Sequence, residues 1–339
     1  MSNLAGPLQG NRQLPEAFES HYRQHVEPGL LLLEQKRKKT ARVVSALVAL
    51  AILGTLPLVA GMLGLDLPTP LFLASLVALF SGILGAAWLS RRFRGGIKEA
   101  LVKPVCAFFG YDYEAKPQSF SLKCFIDAGI APQNYARSRL EDRICGEHNG
   151  VSFELCEVRL MRSKSENDDH SDVIFAGLLL KYTFPKPFTG VTRMLPNVPV
   201  IGKLRGMDLK AAEGSERVVL EDPRFERAFR TWSTDQVEAR YLLTPRFMEW
   251  LIELVSHLSN PKLAAMREEF AAMPLLHGLR LAFAGEHLLI AVLSGHDRFE
   301  GGGLFRSLLD RDRVTELVQE LALVGNIVDV LKLEQTSRA

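Results

Sequence analysis

Residues Ala41–Leu65 read ARVVSALVALAILGTLPLVAGMLGL, and residues Leu71–Leu89 read LFLASLVALFSGILGAAWL. Beyond Arg42 neither run holds a charge. A helix needs about 20 mostly apolar residues to cross the roughly 30 Å hydrocarbon core of a bilayer. Both runs meet that length, so the sequence predicts two transmembrane helices. The linker Asp66-Leu67-Pro68-Thr69-Pro70 carries two prolines, which disfavour helix on their N-terminal side. A tight turn between antiparallel helices follows. Pro57 is placed to kink the first helix. Gly54, Gly61, Gly64, Ser81, Gly82, Gly85, Ala86 and Ala87 are small enough for close approach between helices.

The flanks set the orientation. Lys36, Arg37, Lys38, Lys39 and Arg42 precede or open the first run, and Arg91, Arg92, Arg94 and Lys98 follow the second. The connecting loop has no Lys or Arg. By the positive-inside rule both ends lie in the cytoplasm and the loop outside. The expected location is a cell inner membrane, with two spans and cytoplasmic termini. These basic residues are the expected determinants of topology and contacts for lipid headgroups. No intramembrane acid, base or His marks an ion path, so the hairpin reads as an anchor. It starts after some forty residues with no cleavage site before it, unlike a cleaved signal.

The 339-residue chain carries a net charge of +2, which excludes a strong global attraction to nucleic acid. Cys106, Cys124, Cys145 and Cys156 form no Cys-x-x-Cys pair and lie among apolar neighbours, as small core residues do. No metal or other cofactor is expected. Three regions result: an N-terminal cytoplasmic arm, 1–40; the transmembrane hairpin, 41–90; and a cytoplasmic α+β domain, 97–339. In the arm, Phe18, Tyr22 and Val26 recur at helical spacing, and Pro28-Gly29 interrupts them.

Ile97–Phe109 reads as a helix with a weak point at Pro104. Residues 118–128 fit a short helix or a strand. Arg143–Glu147 and Val151–Val158 flank His148-Asn149-Gly150, and Asn-Gly is the strongest short-range signal for a β-hairpin. Glu154 and Glu157 are placed to pair with Arg143 or Arg159 across that hairpin. Strands are also expected at Val173–Phe184, Phe188–Leu195 and Arg217–Leu220, with a polar loop over 162–172. Helical grammar returns at Ser233 or Thr234, and Thr244-Pro245 starts another helix. Leu279–Ala284 and His287–Leu293 form a second hairpin around Gly285-Glu286. Asp310–Leu333 is a long amphipathic helix. The fold class is α+β: a two-helix transmembrane hairpin, then antiparallel sheet plus helices.

Four of these stretches carry a resemblance: Gly146–Glu154 (GEHNGVSFE), Ile174–Leu179 (IFAGLL), Phe225–Met248 (FERAFRTWSTDQVEARYLLTPRFM) and Leu288–Val292 (LLIAV). With the N-terminal hairpin they resemble a bacterial membrane family catalogued as a domain of unknown function, number 3137 in its series. The resemblance covers most of the chain from Phe18 onward. Ala176 stands where that family usually has Lys. The resemblance implies location and architecture, and a LemA-type membrane protein as partner. It implies no reaction.

The chemistry agrees with that silence. Gly301-Gly302-Gly303 lacks the Lys-Ser/Thr of a phosphate loop. Ser294-Gly295-His296-Asp297 places three triad residue types side by side, where they cannot form a triad. His277, His287 and His296 are too dispersed for a compact metal motif. Trp232, Asp235, Glu238 and Arg240 form an aromatic and charged corner on which a partner would dock. The reading is a membrane-anchored binding or adaptor domain that engages the bilayer surface, a membrane protein or a second copy of itself. A membrane-tethered small-ligand sensor, or an enzyme with an unfamiliar site, is the alternative.

Overall fold

The computed structural model describes residues 16–64, 68–163, 171–197, 214–258, 278–293 and 307–336. Asp66 and Leu67 of the expected turn at 66–70, the Gly301–Gly303 run, Ser294–Asp297 and His277 lie outside them. The chain divides into two compact units, residues 12–109 with 299–319, and residues 1–11, 110–298 and 320–339.

The first unit is built on a pair of long helices. After α1 (Glu16–His21) and a π-helical turn (Tyr22–Val26), α2 runs unbroken from Glu27 to Met62 and α3 from Thr69 to Phe108. Pro28 does not interrupt the helix as the sequence implied. It sits in the first turn of α2, directly after the π-helical turn Tyr22–Val26. Nor does a new helix begin at Ile97, because α3 continues through Gly95 and Gly96. The two helices run antiparallel: a Cβ on Gly54 would touch Ser75, Ala78 and Leu79, and one on Gly82 would touch Leu47 and Ala51.

Elsewhere the apolar side chains face outward. Leu53 is 60% exposed, Met62 89%, Val77 67% and Leu84 66%. Both helices are long and apolar enough to cross a membrane, and 17% of each most apolar window is buried inside the protein. At the other end of the pair, Val44, Phe93, Ile97 and Leu308 form a small core. Phe18 is fully buried, its ring edge-on to Phe108 at 5.0 Å. His21 contacts the Pro104 carbonyl through Nε2 at 2.8 Å.

The second unit is a nine-stranded antiparallel sheet. Its strands are β1 (Asp112–Glu114), β2 (Arg137–His148), β3 (Val151–Ser163), β4 (Ser171–Thr183), β5 (Val191–Pro196), β6 (Glu216–Val218), β7 (Phe229–Ser233), β8 (Leu279–Ala284) and β9 (His287–Leu293). They lie in the order β1-β2-β3-β4-β9-β8-β5-β7-β6. The β8–β9 hairpin thus fills the middle of the sheet, which explains why Leu281, Phe283 and Leu288 are wholly buried. Asn149 and Gly150 turn the β2–β3 hairpin at φ 48° and 73°, as their sequence requires.

Strand β2 begins six residues earlier than the alternation suggested. A bulge between Glu141 and Ile144, with Asp142 at φ 51°, breaks the alternation there. The buried Asp142 carboxylate accepts the Tyr113 hydroxyl at 2.7 Å. Phe229–Ser233, for which the sequence suggested no element, is a strand, β7, between α5 (Pro223–Ala228) and α6 (Gln236–Leu242).

Each face of the sheet is covered differently. On one, residues 120–131, with the short α4 (Lys123–Asp127), pack over Cys156, Val158, Leu179, Ala282 and Ala291. On the other, α7 (Pro245–Leu258) places Phe247 6.0 Å from Phe283. From Glu320 onward the last helix, α8 (Arg311–Thr336), covers the same face, its Val324 carbonyl accepting the Tyr182 hydroxyl at 3.0 Å.

Candidate functional site

Strand pairing lines up one row of residues across the sheet: Cys145, Glu154, Lys181, Leu289, Ala282, Arg193, Trp232 and Arg217, from β2 through to β6. Opposite charges meet at one end of it. Glu154 Oε1 accepts Arg143 Nε at 2.6 Å and Oε2 faces Lys181 Nζ at 2.8 Å. Arg143 also approaches Glu114 at 3.6 Å. Burial raises the Glu154 carboxyl, but hydrogen bonds from Lys181 and Arg143 more than offset it and leave it below the usual range. The Arg143–Glu154 pair is legible in the hairpin. Lys181 is not, because the β3–β4 register is set across a long loop.

Glu154 borders a cleft between residues 118–126 and β2. Two adjoining cavities of about 390 and 340 Å³ share Phe120, Ser121 and Leu140. The first reaches Gln118, Ser119 and Glu154; the second reaches Lys123, Ile126, Tyr135 and Ser138. Phe120 is fixed by stacking on Phe125, ring centres 5.7 Å apart. No motif in the sequence marks this cleft, since one wall is the connector 118–126, whose seat against the β2–β3 hairpin has no local signal.

Further along the same face two arginines are buried. Arg193 is 6% exposed and Arg280 2%. Both reach the turn after α4: Arg280 Nη1 donates to the Ile130 carbonyl at 3.3 Å, and a Cβ on Gly129 would run into the Arg193 guanidinium. Gly129, at φ 69°, suits both demands. Burial lowers both guanidinium pKa values, that of Arg280 to about 10.

The four residues singled out in the sequence divide between two elements. Trp232 lies on β7, half-buried against the core. Asp235 caps α6, its Oδ1 accepting the Val237 and Glu238 amides at 2.9 and 3.0 Å and its Oδ2 the Thr189 hydroxyl at 3.3 Å. The Glu238 amide, against a smaller desolvation cost, holds the Asp235 carboxyl below its usual range. Glu238 stands in the first turn of α6, and Arg240 donates to the Gln236 carbonyl and side chain. Val237, 79% exposed, and Tyr241, 42% exposed, share the open face of α6 with Arg240.

Of the basic flank, Lys36, Lys38, Lys39, Arg42, Arg91 and Arg92 are exposed. Arg37 turns inward to the buried Glu34, at 2.7 Å. That hydrogen bond lowers the Glu34 carboxyl, and the Leu308 amide, 3.1 Å away, adds to the effect. Arg92 lies over the Trp88 ring, 5.4 Å from its centre. The Arg94 side chain is outside the described residues.

Cys106 and Cys156 are buried and Cys124 and Cys145 half-buried, with no disulfide among them. Burial pushes the Cys124 and Cys145 thiols up, and that of Cys156 to about 12. Among the described residues no group of three or more His, Cys, Asp or Glu is placed to hold a metal ion.

Two long apolar helices and a large antiparallel sheet with packed helices define an α+β protein. Residues 173–275 and 261–333, in the C-terminal region, match the model of DUF3137, described as a protein of unknown function. The Ile174–Leu179, Phe225–Met248 and Leu288–Val292 stretches fall inside the match, and Gly146–Glu154 falls outside it. No curated protein matches the chain. Among solved structures the chain is similar to the mycobacterial trehalose monomycolate transport factor A, TtfA, at 11% identity and TM-score 0.31, over 70% of this chain and 96% of that one.

Proposed function

We propose that this chain is a membrane-anchored binding protein. α2 and α3 cross the bilayer as a hairpin, both ends are cytoplasmic, and the sheet unit is the binding module. The observation that carries the reading is the outward apolar surface of the two helices. Ile52, Leu53, Leu56, Phe80, Ile83 and Trp88 each expose more than half of their surface. An apolar face of that extent is unfavourable in water and favourable in lipid. The exposed basic residues at the far end of the pair match the charge of a cytoplasmic leaflet, and Trp88 beneath Arg92 fits a headgroup boundary.

On this reading the chain binds rather than catalyses. Its partner is a membrane protein, of the LemA type implied by the resemblance, docked on α6 through Val237, Arg240 and Tyr241, with Asp235 and Glu238 shaping the helix and Trp232 on the strand before it. Membrane residence raises the local concentration of such a partner. A second reading, a tethered small-ligand sensor, is favoured by the cleft beside Glu154.

The test is crosslinked capture of the full-length chain from its native membranes after washing with alkaline carbonate. The reading requires the chain to stay in the membrane. It also requires one stoichiometric membrane partner, lost in a Val237→Asp, Tyr241→Ala variant that remains folded. Release by carbonate overturns the anchor; capture unchanged by the variant overturns the α6 face.

A further inference from the structure

The cleft between residues 118–126 and β2 has the lining of a ligand site of definite chemical class. Its two hollows, of about 390 and 340 Å³, are wide open to solvent, as suits a ligand held along one side. One side is apolar, with Phe120 held by Phe125 and with Ile126 and Leu140 beside it. The other side offers hydrogen-bonding groups on Ser119, Ser121, Ser138 and Tyr135.

Charge narrows the class. Each ionic group at the lining is already matched by a neighbour. Glu154 holds Arg143 and Lys181, Arg143 is near Glu114 as well, and Lys123 pairs with Asp127 at 2.5 Å. These three acids and three bases balance and leave no excess charge to select an ion. An anion would meet the Glu154 carboxylate, and a cation would meet Lys181 and Arg143 behind it. Each Glu154 oxygen can accept more than one hydrogen bond, so it can still receive a ligand hydroxyl.

We propose that this cleft binds an uncharged amphiphile, a small molecule with an apolar body and a hydroxylated head. The apolar body lies against Phe120 and Leu140, and the head bonds to Glu154 and the serines. The proposal deepens the binding-protein reading and rests on it.

The test uses the full-length chain in phosphatidylcholine nanodiscs. Three photoreactive probes share one eight-carbon diazirine tail and differ in head group: glycerol, carboxylate or trimethylammonium. Labelled peptides are mapped by mass spectrometry. The glycerol-headed probe should label residues 118–140 saturably and at least tenfold more than either charged probe. Leu140→Trp, which fills the cleft, should abolish that labelling. Ser138→Trp, at an exposed position on the same wall, should do so as well and covers the case in which Leu140→Trp fails to fold.

Equal labelling by the three probes, or labelling of 118–140 that persists in folded Ser138→Trp, overturns the proposal. So does labelling by the glycerol-headed probe confined to residues 41–89. Carbonate extraction of the same chain from membranes reads the anchor separately, so loss of the anchor and loss of the cleft are told apart.

Discussion

Glu154 and Lys181 face each other across the β3–β4 pair, carboxylate to ammonium at 2.8 Å, in a position where the carboxylate is 16% exposed. The pair joins two central strands whose register the sequence leaves open. Glu154→Gln removes a charge-assisted bond to each of two cations and should lower stability at pH 7 by about 2 kcal/mol.

The pH dependence has a definite sign. The folded Glu154 carboxyl titrates below its ordinary value. Its stabilisation is therefore present above the unfolded carboxylate pKa and is lost as pH falls through the lower, folded value. Urea titrations from pH 7 to pH 3 should show the wild type and Glu154→Gln converging at the acid end. Parallel curves throughout would show that Glu154 contributes no proton-linked stability.

A second test concerns α8. Tyr182 is fully buried and gives its hydroxyl to the Val324 carbonyl. Burial pushes its pKa well up, so the hydroxyl stays protonated as donor. Tyr182→Phe keeps the ring and loses the bond, at a cost of about 1 kcal/mol. Hydrogen exchange should speed up in residues 320–331 of the variant; unchanged exchange would remove this bond from the docking of α8.

Two glycines of the hairpin should respond oppositely to alanine. A Cβ on Gly82 would come within 2.6 Å of the Leu47 carbonyl and 2.9 Å of Ala51 Cβ, whereas one on Gly61 meets nothing within 4 Å. Alanine gains about 1 kcal/mol over glycine in a helix interior. Gly61→Ala should be neutral or stabilising, and Gly82→Ala destabilising despite that gain. Thermal unfolding in micelles measures both, and equal effects would contradict the packing of α2 on α3.

Asp235 separates a structural role from a docking role. Its carboxylate receives two α6 amides and the Thr189 hydroxyl. Asp235→Ala should lower the melting temperature and Asp235→Ser should largely restore it, because serine also caps. Partner capture should follow stability across this pair. Loss of capture in a fully stable Asp235→Ser protein would instead make the carboxylate a direct contact.

The legible parts of the fold are those with a local cause. Asn149-Gly150 and Gly285-Glu286 announce their hairpins, Pro245 opens α7, and the apolar runs mark α2 and α3. Strand β7 escaped because five residues between two helical segments give too little alternation to read. Strand β2 was half-read because the Asp142 bulge shifts its phase. The site was least legible. Lys181 reaches Glu154, and Arg193 and Arg280 reach the Gly129–Ile130 turn, only through pairings between strands distant in sequence. The docking corner was read from composition, which cannot show that Trp232 sits on a strand.

The central claim is that α2 and α3 form a two-span anchor with both ends cytoplasmic. The most direct measurement is labelling by a membrane-impermeant maleimide in intact cells, after replacement of the four native cysteines. The account predicts that Thr69→Cys, at the start of α3, is labelled from outside, and that Lys38→Cys is labelled only after permeabilisation. Labelling of Lys38→Cys from outside, or shielding of Thr69→Cys until the cells are opened, would contradict it.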